Sequence, residues 1–383
     1  MSGELAPDGV ARFSDPAEAS SVYAKGFFGT LGEDGSLVLD RYESVYLAEM
    51  GRAELRGARG RRVGWSGVFR RAVRAEPGFP VRYLVYRDLR QRGYVVRAGP
   101  PPVAFSVLPR GGTLHKTPSR YWVEALSERE PFDLARVVQL AERAQSARKL
   151  LWLGVVDEES DLTYYRLRRP VPTGAVVPAP LAAPTEGWLS DDRVTVHDAK
   201  AVEGLGRLLA YGSRVGDRLE LSLLESAYLA QAGELAVRDA KSGRRLPLDR
   251  LERRARRLDP RFSERLAAYR ELRGRRLVVK TGFKYGAHFR AYPRNPENAH
   301  ARYLVQALPE RHVASWPEVA GAVRLARASA RSSWSPASRG TRRSGSCRSS
   351  GSVPDRAGTI ELPGHRCCSR GLARPRDRGR LRR

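Results

Sequence analysis

"LDRYESVYLAEMG" at residues 39–51 and "LSLLESAYLAQAG" at residues 221–233 are two versions of one segment. Three further pairs follow in the same order: "VYRDLRQRGYVV" (85–96) with "AYRELRGRRLVV" (268–279), "FSVLPR" (105–110) with "FRAYPR" (289–294), and "RYWVEAL" (120–126) with "RYLVQAL" (302–308). The offset stays between 182 and 184 residues, so the chain is an internal duplication. Each copy opens on a helical part and continues into a basic helical region. It then runs through an apolar-periodic helix ending at glycine, several strands, and a further helix. The expected fold class is α+β, with two tandem repeats. Each repeat is a small helical N-terminal subdomain followed by a mixed α/β subdomain. The expected boundaries are an N-terminal tail (1–24), a first repeat (25–170), a Pro/Ala-rich linker (171–187), a second repeat (188–326) and an Arg/Ser-rich tail (327–383) expected to be disordered.

Charge narrows the partner. Lysine and arginine total 69 against 42 acidic residues, a net +27 with a pI near 10.8. Such a field favours a polyanion, most simply nucleic acid. The most apolar run, "KLLWLGVV" at 149–156, is far too short to span a bilayer. The N-terminus lacks the apolar centre of a signal peptide, so a cytoplasmic location is expected and no membrane partner. The three cysteines are Cys347, Cys367 and Cys368, leaving the first 346 residues without a disulfide framework or a cysteine metal site. No metal or cofactor is expected.

The composition changes at residue 327. From there to the C-terminus stand fifteen arginines, no lysine and three acidic residues. The matching place in copy one reads "RKLLWLGVVDEESDLTYYRL", an apolar hairpin pattern. Two readings stand. One is a native Arg/Ser-rich tail that binds RNA; the other is an end read out of frame. With suitable synonymous codons, "RASARSSWSP" (327–336) shifted to its third base reads Arg-Val-Arg-Lys-Lys-Leu-Val-Val-Ala, a copy of the missing strand.

The stretch "KTGFKYGAHFRAYPRNPENAHARYLV" (280–305) gathers two lysines, three tyrosines and two histidines. Copy two has Tyr292 where copy one has Leu108, and His300 where copy one has Pro118. A structural role would keep similar residues in both copies, so the asymmetry suits one working site and one scaffold.

The blocks "VVKTGFKYGAHFRAY", "HARYLV" and "SWPEVAGAVRLA" resemble the C-terminal half of the archaeal tRNA-splicing endonucleases, or tRNA-intron lyases. The duplicated layout is similar to their two-repeat, homodimeric form over residues 25–326. The resemblance implies a nuclease-like α/β subdomain and removal of introns from precursor tRNA at bulge–helix–bulge structures. It implies metal-independent cleavage to a 2′,3′-cyclic phosphate and a 5′-hydroxyl. Tyr292 then matches the general base and His300 the general acid. The cation matches a lysine whose place falls at about Arg331. Arg324 matches the arginine that holds a flipped bulge base. Asp157, Glu158, Glu159 and Asp161 match an acidic loop that inserts into a partner subunit. Lys280 and Lys284 are candidate phosphate contacts, with exposed strand-end lysine as the plain reading.

The same stretch carries alternatives. Tyr285 is the other candidate phenol. Tyr303 is expected in strand packing, Tyr86 and Tyr269 in core, and His288 on the surface; Lys149 is expected to be a vestige at a strand edge. A non-catalytic RNA-binding scaffold is the rival function. A metal-dependent DNA nuclease is disfavoured because no carboxylate–lysine cluster is present.

Overall fold

The computed structural model describes residues 1–169, 171–177, 181, 183–296, 301–331 and 358–361. In repeat one, β1 (Ser2–Leu5), β2 (Ala11–Phe13), α1 (Pro16–Ala24), β3 (Thr30–Leu31), β4 (Leu37–Leu39), α2 (Arg41–Glu49), β5 (Glu54–Arg56), β6 (Arg62–Val63) and α3 (Trp65–Ala75) form the N-terminal subdomain. The second subdomain follows with α4 (Phe79–Gln91), β7 (Val96–Ala98), β8 (Phe105–Val107), β9 (Tyr121–Ser127), β10 (Phe132–Asp133), α5 (Leu134–Ser146), β11 (Leu150–Val156) and β12 (Leu162–Arg168).

Repeat two returns to the same order. Its N-terminal part holds β13 (Thr185–Ser190), β14 (Arg193–Val196), α6 (Ala199–Ala201) running into a π-helical turn, β15 (Ser213–Val215), β16 (Arg218–Ser222), α7 (Leu223–Gln231), β17 (Leu235–Asp239) and α8 (Leu248–Leu258). Then come α9 (Phe262–Gly274), β18 (Val278–Thr281), β19 (Phe289–Tyr292), β20 (Tyr303–Val305), β21 (Val313–Ala314), α10 (Trp316–Arg331) and β22 (Gly358–Glu361).

The two-repeat α+β layout is as expected, but the N-terminal subdomains are not simply helical. Their sheets run β3-β4-β2-β1-β5-β6 and β15-β16-β14-β13-β17. Residues 2–24, expected as a tail, supply β1, β2 and α1 of the first sheet. The strands are two to six residues long, too short for a periodicity window, although β1, β2 and β13 alternate as half-buried strands do. In β1, Gly3 and Leu5 face inward while Ser2 and Glu4 face water. Thr185 already begins β13, so the linker ends earlier than expected.

The duplicated helix is fixed by its caps. Asp40 and Glu43 form a capping box on α2, and Ser222 and Glu225 form one on α7. Both glutamates are buried, at 2% and 8% exposure. Each also accepts from a loop amide: Gly29 N to Glu43 Oε1 and Gly212 N to Glu225 Oε1, both at 2.9 Å.

The second subdomains diverge at one edge. In repeat one the order is β22-β12-β11-β9-β8-β7, with β11 parallel to β9 and closed by the β11–β12 hairpin. In repeat two, β18-β19-β20 stops at β20, whose residues are only half-buried. Two pieces of the tail nevertheless have structure. The helix α10 runs on to Arg331, and Gly358–Glu361 lies parallel to β12. Repeat two also keeps a core of its own, with Leu251, Tyr269, Val279, Phe289 and Ala291 together.

The repeats join through equivalent elements. The strands β10 and β21 pair antiparallel, Phe132 with Ala314 and Asp133 with Val313. This relates the two repeats by a local pseudo-twofold. Helix α10 then packs on the core of repeat one. Trp316, 4% exposed, stacks on Tyr165 and meets Phe132 edge-on, each at 5.5 Å between centroids. Replacing Trp316 with alanine is expected to cost about 3–5 kcal/mol in a denaturant titration, with the repeats then melting apart. A single unshifted transition would show that α10 does not hold them together.

Candidate active site

The hairpin β18–β19 carries the residues on which the sequence reading rests. Val278 stands opposite Tyr292, and Thr281 opposite Phe289. Tyr292 is 4% exposed; its neighbours are Val278 and Ala210, with Val176 and Ala301 packed at the margin. The linker is part of this wall. Gly174 N donates to Arg275 O at 2.9 Å, Ala175 N to Pro293 O at 2.7 Å and Val176 N to Arg276 O at 3.1 Å. It therefore runs against the hairpin ends rather than spanning free. Leu108, the counterpart in repeat one, is 3% exposed. The fold thus buries this position in both repeats, with an apolar side chain in one and a phenol in the other.

Arg290 ties Tyr292 to the turn ahead of it. Its Cζ lies 5.9 Å from the Tyr292 ring centroid and 5.3 Å from that of Tyr285, while Nε donates to Thr281 O at 2.8 Å. Lys284 is exposed in that turn, and Arg324 is exposed on α10. His300 lies outside the described residues. Arg331 is the last residue of α10. Among the three expected catalytic residues, side-chain surroundings are defined for Tyr292.

Lys280 behaves differently from a phosphate contact. Its Nζ donates to Gly212 O at 2.6 Å, and burial pushes its pKa down. The counterpart Arg97 does the same task, donating to Gly29 O at 2.8 Å and to Glu43 Oε1 at 3.1 Å. The duplicated cation is a tether between subdomains. Sequence reading missed it, although Gly29/Gly212, Glu43/Glu225 and Arg97/Lys280 all recur at the repeat offset.

The remaining candidates sort by contact. Tyr86 and Tyr269 are core, at 1% and 2% exposure. Tyr303 is half-buried against the second core. His288 is not a plain surface residue: Nδ1 accepts from Ala307 N at 2.9 Å, and burial lowers its pKa. Lys149 Nζ donates to Ser119 O at 2.5 Å. It lines a basic groove of about 580 Å³ with Arg148, Arg168, Arg302 and Tyr303, which draws on both repeats.

The acidic residues lie at the tip of the β11–β12 hairpin. Asp157 spends its carboxylate on the turn, accepting from Glu159 N at 3.0 Å and Asp161 N at 2.8 Å. Glu158 pairs with Arg129 at 3.0 Å. Glu159 and Asp161 are exposed.

The family model described as "tRNA intron endonuclease, catalytic C-terminal domain" matches residues 79–164 and 262–336. The one described as "tRNA intron endonuclease, N-terminal domain" matches residues 1–68 and 185–252. The chain belongs to the tRNA intron endonuclease family. It is similar to proteins named tRNA-splicing endonuclease, sharing 37% identity over 313 residues with that of Methanosarcina mazei, or 80% of this chain and 87% of the relative. With that of Methanosarcina barkeri it shares 35% over 331 residues, 85% of this chain and 92% of the relative. With that of Halobacterium salinarum it shares 36% over 270 residues, 66% and 72%.

Both family domains thus occur twice in this chain, and the match of the catalytic domain takes in Tyr292 and reaches past Arg331. The N-terminal domain match starts at residue 1, in accord with β1 and β2. Among the described residues no helix is long and apolar enough to cross a membrane. Lys280→Met tests the tether. It should lower the melting temperature by several degrees and leave both RNA affinity and its salt slope unchanged. A salt slope reduced by about one would restore Lys280 to the phosphate contacts.

Proposed function

We propose that this chain removes introns from precursor tRNA by cutting at bulge–helix–bulge structures, as a homodimer of two-repeat chains. What supports this best is that both family domains occur twice while one copy alone has a phenol at the buried β19 position. In the proposed step Tyr292 takes the proton of the ribose 2′-OH. The 2′-oxygen attacks the adjacent phosphorus, and the bond to the 5′-oxygen breaks as His300 protonates it. The products are a 2′,3′-cyclic phosphate and a 5′-hydroxyl, and no metal takes part.

Each role has a physical basis. The nucleophile is already held next to its phosphate, so positioning accounts for much of the barrier reduction. A phenol with an ordinary pKa of about 10 is a weak base at neutral pH and needs a neighbouring cation. The same cation stabilises the charge gathering on the phosphorane. Imidazole titrates near neutrality and suits the acid. Packing of the Tyr292 ring against Val278 and Ala210 restricts its rotation, and Arg290 lies close by.

The cation is where this chain departs from the pattern. Arginine stands at residue 331 where lysine is expected, and a fork-shaped guanidinium does not replace a point charge. The half-closed sheet supports an out-of-frame end: β9 is flanked by β11, while β20 pairs with β19 and no other described strand. On this reading the chain as written cuts slowly or not at all. The version with the alternative frame restored at codon 327 cuts. Comparable rates from both would establish the tail as native.

Tyr292→Phe in the frame-restored chain should lower single-turnover cleavage by orders of magnitude with RNA affinity nearly unchanged. EDTA should have no effect, and an all-deoxy substrate should stay intact. Lost affinity would make Tyr292 a packing residue, and binding without any cleavage by the frame-restored chain would make it an RNA-binding scaffold. For assembly, Glu158→Lys, Glu159→Lys and Asp161→Lys together should yield monomers in sedimentation. Asp157 stays in place because it builds the turn. Intact dimers would remove the acidic loop from the interface.

A further inference from the structure

Phe283 is the most exposed large apolar side chain among the described residues, at 85%. It stands in the 3₁₀ turn Phe283–Tyr285, between β18 and β19. Nothing about the turn itself calls for an aromatic. The corresponding hairpin of repeat one, between β7 and β8, carries Gly99, Pro100, Pro101 and Pro102 instead. The fold accepts either sequence, so the aromatic and its cations are specific to the repeat that holds Tyr292.

The turn is rigidly built. Tyr285 N donates to Gly282 O at 2.8 Å, Gly282 N to His288 O at 3.0 Å, and Gln306 Nε2 to Gly286 O at 2.7 Å. A Cβ on Gly282 would sit 2.7 Å from Ala287 O, and Gly286 has φ +61° with its open side against Leu325 of α10. The Phe283 ring is therefore held out into water on a fixed support, beside the helix that carries Arg324. Its neighbours are cationic: Lys284 is exposed, and Arg290 bridges Tyr285 to Tyr292. No acidic residue occurs between Lys280 and Pro296.

We propose that Phe283 is a stacking platform for an unpaired base of the RNA substrate, with Lys284 holding the adjoining phosphate. This rests on the functional reading above and adds a recognition element to the same site. An exposed aromatic face among cations is how proteins hold splayed bases, because every base has a π-face and brings its own phosphate. Base pairs in a continuous duplex leave no face for it. The platform thus selects for bulged RNA. A second copy of the chain could offer only its acidic hairpin tip to these cations, which leaves the aromatic face uncovered, and the sedimentation arm below tests that occupant.

The test uses the full chain and a bulge–helix–bulge hairpin with 2-aminopurine at the unpaired positions, made uncleavable by a 2′-deoxy substitution at each cut site. Phe283→Ala and Phe283→Leu should each weaken binding of this hairpin by roughly tenfold and abolish the change in 2-aminopurine fluorescence. Phe283→Trp should keep both. Affinity for a fully paired duplex of equal length should be the same in all four proteins. Wild-type affinity for the bulged RNA in Phe283→Ala or Phe283→Leu would overturn the proposal. So would a shift in the sedimentation of free Phe283→Ala, which would make the ring a self-association contact. Cleavage is not read, so failure here is separable from failure of the catalytic assignment, which Tyr292→Phe addresses.

Discussion

A buried carboxylate in repeat one holds three pieces of chain together. Glu43 closes the first turn of α2, accepts the amide of Gly29, and takes the Arg97 guanidinium that reaches over from β7. At 2% exposure it has exchanged water for these partners. Removing one of them would leave an uncompensated charge, a loss typically of about 3–5 kcal/mol. The orientation of one subdomain on the next is therefore fixed by electrostatics at the point where they meet. A second clamp repeats nearby: Arg90 donates to Gly26 O and lies 3.8 Å over Phe28, and Arg273 donates to Leu209 O and lies 3.8 Å over Tyr211. With the subdomains locked, each β18–β19-type hairpin is delivered to the same place in both repeats.

That lock permits the repeats to diverge where they do. The tether tolerates arginine in one copy and lysine in the other because each donates to the equivalent glycine carbonyl, Gly29 O or Gly212 O. Arg97 also forks to the carboxylate, which a point charge on a flexible stem does less well. Past the tether the hairpins are free to differ. One carries three prolines and Leu108; the other carries Phe-Lys-Tyr, Arg290 and Tyr292. Duplication supplies the scaffold twice, and one copy alone carries a phenol at the buried β19 position.

What the sequence revealed followed the length of the pattern. The long repeat offset, the helices α4 and α9, and the β11–β12 hairpin were legible because many residues agree on one period. The N-terminal sheets were not, because strands such as Leu37–Leu39 alternate over too few residues to register. Burial misled at Lys280. An isolated lysine in a polar stretch reads as exposed, and only the third dimension shows the Gly212 carbonyl waiting for it. Asp157 misled for the opposite reason: an acidic run reads as uniform charge, whereas its first member folds the turn. The Phe283 turn is visible in the sequence as "GFKYG", but its exposure is not.

The same locking explains how repeat two stands without a closing hairpin among the described residues. Its helix α10 does not depend on one: Trp316 sits in an aromatic cluster supplied by repeat one, through Phe132 and Tyr165. The hairpin β18–β19 does not either, since Phe289 and Ala291 pack into a core built with α7, α8 and α9. Among the described residues β20 pairs only with β19, and its residues are half-buried. An open edge invites pairing with another chain rather than unfolding. The open edge of β20 thus bears on solubility, while the support for Tyr292 and Phe283 comes from elsewhere in the fold.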